Sequence, residues 1–301
     1  MHERHPVRFL SSSNAGVLCY YFDGEIYLRP VGASESKKLA VVVNTDASTN
    51  AVEWTDVSRN ISEFEVSPDG KEIAFIARGE VFVTSVDHGD TRRITNTPEQ
   101  ERSVSFHPKG RSLVYAAERG GSWNLYRADL VDDDEPVFFN ATKIKETTLL
   151  ANENETFQPH FSPCGKEVAF LANRSSLRVL NLESGEVREI LPETHGYSYA
   201  DGDQSYEWSP DGKWFLVETL SNNRWSAEVA LVSSDGKGEL VNLSNSGYWD
   251  AGPTWIGEGE GMLWYSDRHG ARQHSGRHHE GDFYAAFFTK DAWDRFQLSE
   301  V

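Results

Sequence analysis

Six runs of largely apolar residues punctuate the chain: V-L-C-Y-Y-F from Val17, E-I-A-F-I-A from Glu72, S-L-V-Y-A-A from Ser112, E-V-A-F-L-A from Glu167, W-F-L-V-E-T from Trp214 and G-M-L-W-Y-S from Gly261. Their short length and their β-branched and aromatic content predict strands covered on both faces. Ahead of each lies a shorter segment ending on a large apolar residue: V-R-F-L (Val7 to Leu10), E-F-E-V (Glu63 to Val66), S-V-S-F (Ser103 to Phe106), Q-P-H-F (Gln158 to Phe161), S-Y-E-W (Ser205 to Trp208) and G-P-T-W (Gly252 to Trp255). Behind each comes a third segment, from Glu25, Glu80, Asn124, Leu177, Ala227 and Asp282, several of them alternating with period two. More polar segments such as Thr91 to Thr95, Glu186 to Leu191 and Leu240 to Ser244 have the character of sheet edges.

The first and second segments of each set are joined by a recurring turn. It reads S-P-D-G at Ser67 and again at Ser209, H-P-K-G at His107 and S-P-C-G at Ser162, with weaker versions at Ser13 to Gly16 and Gly257 to Gly261. Proline presets φ at the second position, the third tolerates Asp or Lys, and glycine takes the fourth, where φ is often positive. The product is a tight reversal between antiparallel strands.

A set of four strands recurring every roughly 40 to 55 residues is the period of a propeller blade, a sheet that buries its faces only against its neighbours. The chain is therefore expected to be all-β: one β-propeller domain over 1–301, with about six four-stranded blades at approximately 7–57, 61–97, 102–150, 157–193, 204–245 and 252–300. Composition fits, because aromatics reach 12% while helix signals are almost absent, and 24 glycines with 11 prolines supply turns.

Charge narrows the partners. Lys plus Arg number 29 against 47 Asp plus Glu, a formal net charge of −18, and that field repels phosphate backbones and anionic bilayers, so neither nucleic acid nor membrane is expected. The start M-H-E-R-H-P lacks a signal-peptide pattern, and Cys19 and Cys164 fall in separate repeats. Together these favour a cytoplasmic setting, with a periplasmic one left open if the chain is a piece of a longer protein.

Chemistry is sparse. No G-x-S-x-G, H-E-x-x-H, C-x-x-C, Walker loop or helix-opening G-x-G-x-x-G occurs, so no catalytic residue and no cofactor are expected. The segment Ser266 to Asp282 gathers Arg268, His269, Arg272, His274, Arg277, His278, His279, Glu280 and Asp282. An anion patch around Arg268 and Arg272, or a metal site from His274, His278 and His279, competes there with a plain solvated loop, which is preferred because the spacing matches no standard ligand set. A second candidate, His195 to Tyr206, carries Tyr197, Tyr199, Asp201 and Asp203, which could line a peptide or sugar path or else pack between blades and shape a turn. The acidic run Asp132 to Glu135 reads as a hairpin tip, because the spaced oxygens of a calcium loop are missing. Trp123, Trp208, Trp214, Trp225, Trp249, Trp255 and Trp264 read as packing between blades rather than as a sugar platform.

The repeats V-S-P-D-G-K-E-I-A-F, F-S-P-C-G-K-E-V-A-F and W-S-P-D-G-K-W-F-L-V resemble those of TolB-like and tricorn-protease-like propellers. H-P-V-R-F-L-S from His5, D-G-E-I-Y from Asp23, G-S-W-N-L-Y-R-A-D-L from Gly121, Y-S-Y-A-D-G-D-Q from Tyr197 and F-F-T-K-D-A-W-D-R-F from Phe287 resemble, more narrowly, a propeller region of bacterial tricorn-like serine peptidases. The resemblance covers essentially all of the chain and implies several things. The family's propellers are unlatched, and His5 corresponds to an entry partway through one, so the repeats form either a ring or an incomplete arc of a larger propeller. The family's PDZ and serine-peptidase domains have no counterpart here, and no catalytic residue carries over. The implied role is a non-catalytic domain that gates or channels peptides, with peptides, the other domains of the same peptidase and a further copy of the chain as expected partners. A free-standing TolB-like protein-interaction propeller is the alternative, and a catalytic propeller using the histidine-rich loop is a third reading.

Overall fold

A computed structural model describes residues 6–42, 56, 59–152, 154–196, 204–220, 226–270 and 280–298. The chain divides into two compact units, Met1–Thr55 and Asp56–Val301. The first holds one antiparallel sheet of β1 (Arg8–Ser12), β2 (Leu18–Phe22), β3 (Glu25–Arg29) and β4 (Lys37–Lys38), in that order. Tyr20 is buried and stacks on Tyr27 at 5.7 Å, whereas β1 is exposed along its whole length.

The second unit holds five sheets. They are β5 (Ile61–Val66) to β8 (Thr91–Arg93) through β6 (Glu72–Ala77) and β7 (Glu80–Ser85); β9 (Glu101–Phe106), β10 (Ser112–Arg119), β11 (Ser122–Leu130) and β12 (Ile144–Leu150); β13 (Thr156–Phe161), β14 (Glu167–Ala172), β15 (Ser176–Asn181) and β16 (Val187–Leu191); β17 (Tyr206–Trp208), β18 (Trp214–Thr219), β19 (Glu228–Ser233) and β20 (Val241–Asn242); and β21 (Asp250–Ile256), β22 (Gly261–Ser266) and β23 (Asp282–Phe287). Strand order follows chain order in every sheet, and all pairings are antiparallel. No helix among the described residues is long and apolar enough to cross a membrane.

The recurring turn works as its letters predict. Gly70, Gly110, Gly165 and Gly212 all have φ between +71° and +73°. Ser67 Oγ donates to Asp69 Oδ1 at 2.7 Å and accepts the Glu72 N–H at 2.9 Å, while Asp69 accepts the Lys71 N–H; Ser209, Asp211, Lys213 and Trp214 repeat the arrangement. The motif is therefore a small hydrogen-bonded plug that closes the hairpin without help from elsewhere.

Packing explains why the second strands are apolar on both faces. In β10, Leu113, Tyr115 and Ala117 join Ala74, Ile76, Val81 and Val83 of the preceding sheet in one core, and Val114 and Ala116 join Phe157, Phe161 and Val168 of the following sheet in another. The same alternation puts Ala169 and Leu171 against Phe215 and Val217, and Leu216 against Met262 and Trp264. Each neighbouring pair of sheets in this unit thus owns its own hydrophobic cluster, and each fully buried large side chain contributes about 1.5–3 kcal/mol. The long connection after β11 adds Phe138, which is wholly buried in the first of these clusters.

Three expectations need correction. The sixth sheet has three strands rather than four, and its chain continues into helix α1 (Lys290–Phe296), capped by Thr289 Oγ1 accepting the Ala292 N–H at 3.2 Å. Trp293 and Phe296 pack on Phe287, so a short amphipathic turn takes the place of an edge strand. Trp214 and Trp249 are exposed, whereas Trp123, Trp208 and Trp264 are buried between sheets. Finally, Leu10 and Val66 end their first strands exposed, unlike Phe106, Phe161 and Trp208.

Candidate functional site

Most first strands are irregular. Ladder register shifts within β1, β5, β9, β13 and β21, and Phe9, Ser103, Gln158 and Gly252 sit in the shifted stretches with φ of 53°, 58°, 49° and 59°. These are β-bulges, and a left-handed residue in a bulge swings its N–H out of its own ladder. The freed groups find carboxylates on the preceding sheet: Ser103 N–H donates to Glu63 Oε2, and Gly252 N–H donates to Glu218 Oε1 at 2.6 Å. Pro159 and Pro253 fall in two of the bulges, on edge strands where the missing N–H is tolerated.

A second set of bridges joins the position two before each turn to the next sheet. Glu65 Oε2 accepts the Phe106 N–H at 3.2 Å, and Glu207 Oε2 accepts the Trp255 N–H at 3.0 Å. The indole N–H groups of Trp208 and Trp255 donate to the carbonyls of His160 and Glu207, each at 3.4 Å. Tyr206 Oη donates to the carbonyls of Gln158 and Ala169, and Gln158 Nε2 to that of Gln204. Within the second unit the first strands thus lie side by side, coupled by side chains rather than by a continuous ladder.

Between β5, β9 and β13 this wall encloses a crevice of about 330 Å³ lined by Glu63, Phe64, Glu65, Arg102, Ser103, Val104, Gln158 and His160. Glu63 and Arg102 pair at 3.0 Å. Glu65 has only neutral donors, the Phe106 N–H and Ser105 Oγ at 3.5 Å, and burial pushes its carboxyl up to about 7. His160 is exposed on the crevice and stands edge-on to Tyr206 at 5.6 Å, and the protein atoms gathered around it lower its imidazole below the usual value. Burial likewise raises Glu207 and Glu218. At neutral pH the crevice offers hydrogen-bond acceptors, one committed ion pair and no free cation.

Tyr197, Tyr199, Asp201, Asp203, Arg272, His274, Arg277, His278 and His279 fall outside the described residues. Arg268 is described: its guanidinium meets Asp250 Oδ1 at 3.2 Å and Ser266 Oγ at 3.2 Å and lies 4.8 Å from the centre of the Tyr284 ring. His269 Nδ1 hydrogen-bonds Tyr284 Oη at 2.6 Å, and Glu280 and Asp282 are exposed. Asp132, Asp133 and Asp134 are exposed in a turn, whose carbonyls at Asp132 and Glu135 accept from Arg111. Among the described residues no group of three or more His, Cys, Asp or Glu side chains could hold a metal ion. Glu65 and His160 were missed, although the position two before the turn is polar in the four sheets that carry the stronger turn motif: Glu65, Ser105, His160 and Glu207.

Sheets that repeat in chain order, bury both faces against their neighbours and bring their first strands side by side define a propeller-type repeat fold. The propellers this chain resembles are those of TolB and of tricorn-type peptidases. No family model matches the chain. It is 24% identical over 171 residues to the "Uncharacterized peptidase YuxL" of Bacillus subtilis, covering 55% of this chain and 23% of that protein. It is 26% identical over 205 residues to the Tol-Pal system protein TolB of Francisella tularensis, covering 63% and 42%. The chain thus spans well under half the length of either relative. Among solved structures, tricorn protease superposes on all of this chain and 29% of its own, with a TM-score of 0.56 at 13% identity, and TolB from Acinetobacter baumannii on 87% of this chain and 57% of its own, with 0.51 at 16%. These likenesses establish the fold.

Proposed function

We propose that the chain is a non-catalytic propeller domain of a tricorn-like serine peptidase, in which the first-strand wall lines the route of extended peptides. Under this reading residues 1–301 act as one domain, and peptides and the peptidase's other domains are its partners. The observation that carries it is the wall itself. Its backbone is bulged, its side chains are polar and partly unpaired, and a crevice of about 330 Å³ opens along it where a merely structural interface would be packed with apolar groups. Extended chains offer alternating N–H and C=O groups and side chains that suit such a wall. The likeness to tricorn protease over the whole chain supports the assignment through fold alone. Tyr197, Tyr199, Asp201, Asp203, Arg268 and Arg272 remain proposed peptide contacts.

The test is proteolysis by the parent peptidase with and without this domain. Deletion, or addition of the chain in trans, should change cleavage of long peptides and leave di- and tripeptide substrates unaffected; equal effects on both lengths overturn the reading. The match to TolB over 63% of the chain favours one other reading, a protein-interaction propeller, which a pull-down returning a non-peptidase partner of defined stoichiometry would establish.

A further inference from the structure

We infer that the crevice between β5, β9 and β13 is a subsite for the cationic side chain of a peptide, a lysine or arginine that lays its stem on Phe64 and ends with its charged head at Glu65. The inference rests on the peptide-route reading above and specifies its chemistry.

Three features of the crevice point to a cation. Glu65 is a carboxylate whose only partners are neutral, with the Phe106 N–H at 3.2 Å on one oxygen and a long contact of 3.5 Å from Ser105 on the other. Such a group gains most from a charge-assisted partner. The one cation lining the crevice, Arg102, already carries Glu63 at 3.0 Å, so the local balance stays negative and an anionic side chain is repelled. His160, across the crevice on β13, has no hydrogen-bond partner for its ring nitrogens among the described residues, and as a neutral imidazole it supplies one more acceptor.

A fourth feature is apolar. Phe64 is 70% exposed at the mouth, and Val104 lines the wall. Lysine and arginine carry long apolar stems below a charged head, and an aromatic face attracts the head as well as the stem. A neutral sugar would satisfy the acceptors but leave Glu65 without its charge partner. The chain's formal charge of −18 adds a long-range attraction for basic peptides.

Arrival of a cation favours the ionised form of Glu65, so binding should strengthen from pH 6 to pH 8. The charged and titratable groups around it are Glu63 on β5, Arg102 on β9 and His160 on β13. His160 stays largely neutral in that range, because the protein atoms gathered around it lower its imidazole below the usual value. Glu65 is left as the group that titrates.

The experiment uses the full chain labelled with 15N-histidine, the ring signal of His160 assigned with His160→Gln, and three probes: acetyl-Ala-Lys-Ala-amide and its norleucine and glutamate counterparts. The lysine peptide should shift the His160 signal saturably, and the norleucine peptide should bind at least about tenfold more weakly, the effect of one charge-assisted contact. Glu65→Gln should weaken the lysine peptide by a similar factor and abolish its pH dependence, with the other histidine signals unchanged as a control for folding. Equal binding of the norleucine peptide, or an unchanged affinity in Glu65→Gln, overturns the subsite but leaves the peptide route standing. Absence of any saturable shift up to about 10 mM lysine peptide also overturns the subsite, since a weaker contact contributes under about 3 kcal/mol. The peptide route itself stands or falls separately, on cleavage of long against short substrates.

Discussion

Glu65→Gln should stabilise the protein in a pH-dependent way, and the size of the effect follows from the environment of one carboxyl. Burial against β9 raises Glu65 from an ordinary 4.5 to about 7, offset only partly by Ser105 and the Phe106 N–H. Below pH 4.5 the group is protonated in folded and unfolded chains alike, so it contributes no pH dependence. As pH rises from there to about 7, the unfolded chain ionises while the folded chain holds its proton, and stability is lost across that window. The difference between the two values converts to roughly 3 kcal/mol at most. Glutamine keeps an oxygen for the Phe106 N–H and cannot ionise. The variant should therefore match the wild type near pH 4.5 and exceed it by up to roughly 3 kcal/mol at pH 8. Urea unfolding of both proteins at several pH values measures this, read as the difference in midpoint at constant slope. Taking the difference removes the other shifted carboxyls, which titrate identically in both proteins. A difference that does not vary with pH refutes the reasoning, since it means that water reaches Glu65 as freely as in the unfolded chain.

Glycines with matched backbone angles isolate the contact between adjoining turns. A Cβ on Gly165 would lie 2.1 Å from His107 Nε2, which hydrogen-bonds the Gly165 carbonyl at 3.2 Å, whereas one on Gly70 meets nothing within 4 Å; their φ values are +72° and +73°. Gly70→Ala should cost about 1–2 kcal/mol from the left-handed backbone, and Gly165→Ala at least about 1 kcal/mol more from the lost contact, both by denaturant unfolding. Phe138→Ala removes a ring with no exposed surface and should cost about 3–5 kcal/mol by the same measurement. Thr289→Ala deletes the cap of α1, costing about 1 kcal/mol of helix stability, so amide exchange should quicken in α1 and leave β9 to β16 unchanged.

What the sequence made legible was local. The turn motif carries its own hydrogen bonds between Ser67, Asp69 and Glu72, so its letters suffice, and the apolar runs declare both buried faces because each has a neighbour. The end of the chain was misread, because Thr289 caps a helix too short for apolar periodicity to show. Trp214 looked like core because large rings in strands usually are, but it is exposed. The bulges had half a signal: Pro159 and Pro253 mark theirs, while nothing in the letters around Phe9 or Ser103 does. The crevice was hidden for a stronger reason. Glu65 and His160 lie on different sheets, some 95 positions apart along the chain, and neither carries a motif. Only the recurrence of polar residues two before the turn, from Glu65 to Glu207, held the information.

That recurrence also bears on what the wall is for. Accepting a backbone N–H from the next sheet does not require a charge. Glutamine makes the same bond without the cost of desolvating a carboxylate, and Gln158 shows that an amide fits on this wall, where it reaches the Gln204 carbonyl at 3.1 Å. Yet Glu65, Glu207 and Glu218 are all acids, all bridge to N–H groups of the following sheet, and all have their carboxyls raised by burial. As purely structural bridges they are worse than their amides. Their excess over the amide is realised only when a positive charge arrives from outside, and at the crevice the sole lining cation is already held by Glu63. A wall built of strained first strands and under-compensated acids is therefore better suited to a cationic visitor than to holding the sheets together, and the apolar clusters between sheets carry the stability that such a wall gives up.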